Sequence, residues 1–311
     1  MSTDTSVRRV RTSDGLELVV ETYAGPPGAA TIVCVHGYPD NRTVWRPVAE
    51  RLREHSTVVT YDVRGAGESE APVERSGYLI DQLDRDLLAV IDAVSPDEPV
   101  HLLAHDWGSI QAWAAVLGNI EASRLASYTS ISGPDLGLAG LWLKGLTRHG
   151  WTGARKRLTQ LAESYYIWFF QAPWLPEAAW RSGLLDRLLT STAAVGRPPG
   201  VTPEEVAAEA TGVRRTERDR INGLELYRAN VLSRLRRPAP RPTHVPVQVI
   251  APTKDIYVSV PLATEAPVGY ATDLRIEQVD GGHWIVLDQP DLVAGLVRGF
   301  VADHTGPGRE A

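Results

Sequence analysis

Leu102-Leu103-Ala104-His105-Asp106-Trp107-Gly108-Ser109 is the stretch on which the reading of this chain turns. An apolar run meets a small residue, then polar and aromatic ones, then a glycine. Residues 109–117, immediately after it, have helical spacing. This is the layout of a nucleophile held on a sharp strand-to-helix turn, where only small side chains fit two places before and after the apex. Ala104 and Gly108 supply them, and the apex residue is Asp106 rather than a serine. Ser109 falls on the helix and cannot take that position. A plainer reading makes Asp106 a helix cap, so the sequence around it has to separate the two.

Outward from this turn, residues 100–104 are one of a series of short, largely apolar β runs. The others are Thr31–Val35 and residues 56–63, 126–131 and 245–251; Leu274–Val279 alternates and makes a further strand. Residues 7–23 read as a hairpin about Asp14-Gly15. Ile80–Val94 carries Leu83, Leu87, Leu88 and Ile91 on one helical stripe, and residues 292–302 behave likewise. Strands alternating with helices predict an α/β fold, a mostly parallel sheet flanked by helices. The alternation fails over residues 134–242, which are rich in tryptophan, leucine and arginine and broken at Pro173, Pro176, Pro198 and Pro199. The stretch closes on the stiff Arg236-Arg237-Pro238-Ala239-Pro240-Arg241-Pro242. The expected organisation is a core of residues 1–133 and 243–303, a helical lid of residues 134–242 inserted into it, and a disordered tail, 304–311.

Composition narrows the function classes. The chain has 311 residues, 43% hydrophobic and 23% charged, enough for a large packed core. A net charge of −6 argues against a nucleic-acid partner. Cys34 is the sole cysteine and lies inside a strand, so no internal disulfide forms and a reducing, cytoplasmic setting is expected. No apolar leader precedes residue 15, and no run approaches the ~20 apolar residues of a membrane span. Neither a zinc spacing nor a phosphate loop is present, so no metal and no cofactor is expected.

Three further loops carry chemistry. In Val35-His36-Gly37-Tyr38-Pro39-Asp40, Gly37 lets the backbone turn beside the strand end. The N–H groups of Tyr38 and Trp107 then form a pair of donors for an oxyanion. Asp62 to Ser69 is a glycine-rich loop that Asp62 and Arg64 are expected to hold by ion pairs and hydrogen bonds. Its Gly67-Glu68-Ser69-Glu70-Ala71 only superficially resembles a serine turn, since Pro72 intervenes before any helix. His283, in Gly281-Gly282-His283-Trp284 after the last strand, is the best of eight histidines for a general base; His36 and His105 read as loop-orienting. Asp255, just past the penultimate strand, is preferred as its orienting carboxylate, with Asp135 as rival.

Taken together these residues resemble the epoxide hydrolases of the α/β-hydrolase superfamily, over about residues 8–303. His36-Gly37-Tyr38-Pro39 resembles that family's oxyanion loop, in which the proline is typically cis. Residues 62–69 match its Asp-x-Arg-Gly-x-Gly-x-Ser loop, and His105-Asp106-Trp107-Gly108 its aspartate turn. Ala104 stands where glycine is also common. Ser164-Tyr165-Tyr166-Ile167-Trp168-Phe169-Phe170-Gln171-Ala172-Pro173 and Gly223-Leu224-Glu225-Leu226-Tyr227-Arg228-Ala229-Asn230 resemble the two stretches that bear the family's ring-opening tyrosines. The resemblance thus implies Tyr166 and Tyr227 in that role. Actinobacterial epoxide-hydrolase-like domains, some fused to a reductase, are the nearest likeness, and no such second domain is expected here.

The resemblance implies an enzyme that opens an epoxide to a vicinal diol, in secondary metabolism or detoxification. Asp106 is the nucleophile, His283 with Asp255 the water-activating pair, and Tyr166 and Tyr227 the acids. Trp168, Phe170 and Trp284 are the expected substrate contacts, and the lid tryptophans Trp142, Trp151, Trp168, Trp174 and Trp180 suggest an apolar or aromatic epoxide. A homodimer is compatible with this reading. The same aspartate triad serves haloalkane dehalogenases, which form the first alternative; a ligand-binding protein of this fold without turnover is the second.

Overall fold

Asp14 and Gly15 reverse the chain, with Gly15 at φ +92°, and this turn pairs β1 (Thr5–Arg11) antiparallel with β2 (Glu17–Tyr23). The computed structural model describes residues 5–193, 195–197, 200, 206, 212–236 and 240–305. β2 pairs antiparallel with β4 (Thr57–Tyr61), and every later pairing is parallel. With β3 (Thr31–Val35), β5 (Val100–His105), β6 (Leu125–Ile131), β7 (Val247–Pro252) and β8 (Leu274–Val279), the sheet runs β1-β2-β4-β3-β5-β6-β7-β8. β5, β6 and β7 are buried along their whole length, and β3 and β4 at all but their first residue, which is why they read as largely apolar runs. Edge strand β8 is half-exposed and alternates.

Residue parity along the strands divides the core in two. Val33, Val35, Val59, Leu102 and Ala104 pack beneath α2 (Ile80–Val94) and α3 (Trp107–Ala114). Ile32, Cys34, Val58, Leu103 and Ile250 pack on the other face beneath α1 (Arg46–Leu52) and α13 (Pro290–Asp303). Parallel strands end together, so the loops after β3, β4, β5, β6, β7 and β8 gather His36, Asp62, Asp106, Ser132, Asp255 and His283 along one sheet edge.

Between β6 and β7 the described residues hold helices and turns but no strand. These helices are α4 (Leu136–Gly145), α5 (Gly150–Glu163), α6 (Tyr165–Gln171), α7 (Leu175–Arg181), α8 (Leu184–Ala193), α9 (Glu217–Asn222) and α10 (Leu224–Arg236). Pro173 does stop α6, because the residue before a proline is pushed to extended backbone and Ala172 sits at ψ 142°. Pro176 instead lies in the first turn of α7, where a missing N–H costs nothing. Pro198, Pro199, Arg237, Pro238 and Ala239, and the tail beyond Thr305, lie outside the described residues. No helix among the described residues is long and apolar enough to cross a membrane.

The loop after β4 is held, but Asp62 and Arg64 do not pair with each other. Arg64 is buried and donates to Asp86 Oδ2 at 2.6 Å and Asp14 Oδ2 at 2.9 Å. Asp62 takes the Arg42 guanidinium and accepts the N–H groups of Arg42 (2.8 Å) and Glu68 (2.9 Å). Both residues thus hold the loop by ion pairs and hydrogen bonds, as the sequence led one to expect, each with a charged partner outside it. Ser69 is also buried, with Oγ donating to Asp62 O, so it is no nucleophile.

Candidate active site

Asp106 follows β5 directly, at φ 52°, ψ −123°, a region that costs a side-chain-bearing residue about 1–3 kcal/mol. Its neighbours sustain that strain. A Cβ on Gly108 would stand 2.1 Å from Val35 O, so only glycine lets α3 start this close to β3. α3 begins at Trp107, two residues earlier than the sequence pattern suggests, and the Asp106 side chain makes no cap hydrogen bond to it. The capping alternative therefore fails: the carboxylate points away from its own helix.

It points instead at two groups. Tyr38 N–H donates to Asp106 Oδ1 at 2.7 Å, an approach that Gly37 permits, since a Cβ there would stand 2.4 Å from the same oxygen. The Tyr38-Pro39 bond is cis. On the other side, His283 Nε2 lies 3.6 Å from Asp106 Oδ2. His283 Nδ1 faces Asp255, at 2.9 Å from Oδ2 and 3.1 Å from Oδ1, and Asp255 Oδ1 also accepts the N–H groups of Tyr257 (2.8 Å) and Val258 (3.1 Å). Asp135, the rival, caps α4 instead, accepting from Leu138 N at 2.8 Å. His105 Nε2–H donates to the main-chain oxygen of His283 at 2.9 Å and so fixes the loop, while His36 Nε2 accepts from Val63 N.

The electrostatics arise from burial and charge. Burial opposes a charged imidazole, but Asp255 and then Asp106 outweigh it and raise His283 to about 10. Asp255 is held below the ordinary carboxylate range: burial works against ionisation, and His283 overcomes it. Tyr166 and Tyr227 are pushed well above the ordinary phenol range, first by burial and then by the Asp106 charge, so both keep their protons.

Those tyrosines come from α6 and α10, yet their rings stand 6.3 Å apart, and both border the same spaces as Asp106. The larger space, about 300 Å³, is walled by Phe170, Trp180, Trp284 and Leu185, Leu188 and Leu189 of α8. Phe170 and Trp284 thus face the cavity as the sequence led one to expect. Trp168 touches only a smaller space and is 56% exposed. Of the other tryptophans between β6 and β7, Trp180 lines the large cavity, Trp151 and Trp174 face solvent and Trp142 donates to Glu265. The tryptophan content therefore overstated the aromatic wall, because most of those rings lie on the outer faces of their helices.

Sequence reasoning missed two features. Tyr257 meets His283 and Tyr166 edge to face, with ring centres 4.8 and 5.3 Å away, and its hydroxyl lies 2.9 Å from Thr192 Oγ1; its place two residues after Asp255 was the available signal. Asp40 is fully buried and accepts from Arg215 Nε at 2.5 Å and Trp284 Nε1 at 3.0 Å, while the Arg215 guanidinium lies 5.2 Å over the Trp284 ring. No sequence pattern announces a pair so far apart in the chain.

Comparison with known proteins fits this geometry. A model of the alpha/beta hydrolase fold matches residues 30–290. The chain belongs to the alpha/beta hydrolase fold family. Among curated relatives, the "Probable oxidoreductase EphD" of Mycobacterium tuberculosis is 32% identical over 312 residues, which cover 97% of this chain and 51% of that protein. This α/β-hydrolase chain therefore spans about half the length of that relative. Human "Epoxide hydrolase 4" is 26% identical over 291 residues, covering 91% of this chain and 75% of that one. Among solved structures, a Bacillus megaterium epoxide hydrolase superposes with a TM-score of 0.74 at 20% identity, over 95% of this chain and 100% of that one. At that identity the likeness speaks to the fold.

Proposed function

We propose that this protein hydrolyses epoxides to vicinal diols through an ester on Asp106. The observation that carries the reading is one cavity bordered at once by a carboxylate on a strained turn, an imidazole backed by a second carboxylate, and two buried, protonated tyrosines. A halide leaves without a proton, whereas an alkoxide does not; two phenol donors facing the nucleophile therefore favour an epoxide over a haloalkane. A pure binding protein has no need of the His283–Asp255 pair.

In the first step an oxygen of Asp106 attacks a ring carbon and the ring C–O bond breaks. The alkoxide takes its proton from Tyr166 or Tyr227, acid assistance that is typically worth ~10²–10⁴-fold. Ester formation removes the Asp106 charge, one of the two that hold the proton on His283, so the imidazolium releases that proton to solvent and the neutral imidazole can then act as a base. His283 takes a proton from water, the hydroxide adds to the Asp106 carboxyl carbon, and the N–H groups of Tyr38 and Trp107 receive the oxyanion. Collapse breaks the carbonyl carbon–alkoxide bond, protons pass back to the diol and tyrosine, and one oxygen of water stays on Asp106. Within this reading residues 1–133 and 243–303 form the catalytic core. Residues 134–242 form a cap that supplies the tyrosines and the cavity wall, with Phe170 and Trp284 touching substrate. The substrate is a small epoxide whose bulk is apolar.

The His283→Gln variant tests the scheme, because it keeps ring opening and removes the base. Intact-protein mass spectrometry after incubation with styrene oxide should show one added substrate mass on the Asp106 peptide. Consumption of epoxide by this variant with no adduct at any time would contradict the ester.

A further inference from the structure

Two cavities, not one, border Asp106. Besides the large one, a space of about 110 Å³ reaches Asp106 from the side of α4, walled by Ile110, Ala139, Leu143, Leu235 and Leu262. Tyr166, Tyr227 and Tyr257 border both spaces. The three rings, 5.3 Å (Tyr166–Tyr257) and 6.3 Å (Tyr166–Tyr227) apart, thus form a partition with the nucleophile at its foot. An epoxide ring held by the two tyrosines at Asp106 lies in the neck between the chambers, so its two carbons face different chambers.

We propose that the substrate is an epoxide substituted on both ring carbons, with a long or aryl apolar arm in the α8-side chamber and a short aliphatic arm in the α4-side chamber. This rests on the epoxide reading above and refines it. The size ratio, 110 to 300 Å³, sets the asymmetry. A terminal epoxide leaves the α4-side chamber without an apolar occupant and forgoes the transfer free energy of that arm. Tyr257 ties the partition to the large chamber, because its hydroxyl meets Thr192 of α8, while Gln160, buried and bonded to Ser164 and Ser259, closes the far end of the small one.

The test compares styrene oxide with its trans analogues bearing a methyl or a propyl group on the second ring carbon, using the full chain. kcat/KM should rise from hydrogen to methyl to propyl, with propyl about tenfold or more above styrene oxide, as expected for three carbons leaving water. Ala139→Phe and Leu143→Trp, which fill the small chamber, should each lower the propyl-to-styrene-oxide ratio at least tenfold; the ratio is read from whichever variant turns over either substrate. A propyl analogue no faster than styrene oxide in the unaltered protein overturns the two-chamber assignment and leaves the epoxide reading standing. If none of the three is opened and His283→Gln forms no adduct, the epoxide reading fails with it.

Discussion

Replacing Arg215 with methionine strips the Asp40 carboxylate of its countercharge. Asp40 is 2% exposed and Arg215 reaches it from the segment just before α9, so the pair bridges the seam between the lid segment and the loop that supplies Tyr38. The carboxyl is held below its ordinary range; burial alone would raise it, and Arg215 reverses that. Without Arg215 the Trp284 indole N–H is the one side-chain donor left to it among the described residues, and a buried, uncompensated charge of this kind costs about 3–5 kcal/mol. The lost contact over the Trp284 ring adds about 0.5–2 kcal/mol. For a chain of this size the sum corresponds to a Tm lower by about 10 °C. Asp40→Asn combined with Arg215→Met should recover most of that loss, because the uncompensated charge is then gone. Sign matters in acid: a depressed Asp40 contributes stability above its unfolded value of 3.8 that is lost as pH falls through its lower folded value, so this acid-labile component should vanish in Arg215→Met. Thermal unfolding of the four proteins of the cycle measures all of this. A loss below about 1 kcal/mol, or a double variant as unstable as the single one, would refute the reasoning.

Tyr166→Phe and Tyr227→Phe should each slow single-turnover ring opening by about 10²-fold or more, and the double variant should form no ester with styrene oxide; unchanged ester formation in the double variant removes the tyrosines from the scheme. His283 stands at about 10 against an ordinary 6.5, so the stability its charge contributes is complete below pH 6.5 and is lost as pH rises through 10. The Tm of the unaltered protein should therefore fall more steeply than that of His283→Gln between those two values, and parallel curves would show that the imidazole carries no charge there. Gly37→Ala places a methyl 2.4 Å from Asp106 Oδ1 and 2.7 Å from the main-chain oxygen of His105, and should cut kcat/KM at least 100-fold, about 2.7 kcal/mol, while overpacking lowers stability by about 1–3 kcal/mol; full activity would mean that Asp106 does not use this pose.

The sequence was most legible where local geometry restricts residue type. Gly108 follows Asp106 at this spacing because β3 passes within contact distance, and a doubly buried strand such as β5 is largely apolar, so turn and sheet could be read together. Asp255 is preferred to Asp135 in sequence by its place past the penultimate strand, although both come just after a strand; side-chain direction then distinguishes the carboxylate facing His283 from the one that caps α4. The stretch between β6 and β7 was legible as helical but not in its facing. Trp168 and Trp180 sit on neighbouring helices, yet one is 56% and the other 5% exposed, because helix orientation is set by what each helix packs on. The seam pair Asp40–Arg215 and the partition residue Tyr257 depend wholly on tertiary approach, which no periodicity encodes.

The central claim is that Asp106 carries the substrate covalently. A single turnover of styrene oxide by excess protein in ¹⁸O-water, with mass spectrometry of the diol and of the Asp106 peptide, tests it most directly. Label in the Asp106 carboxyl group and an unlabelled diol from the first turnover are the expected result. Labelled diol with an unlabelled Asp106 would mean that water attacks the epoxide directly and would contradict the covalent route.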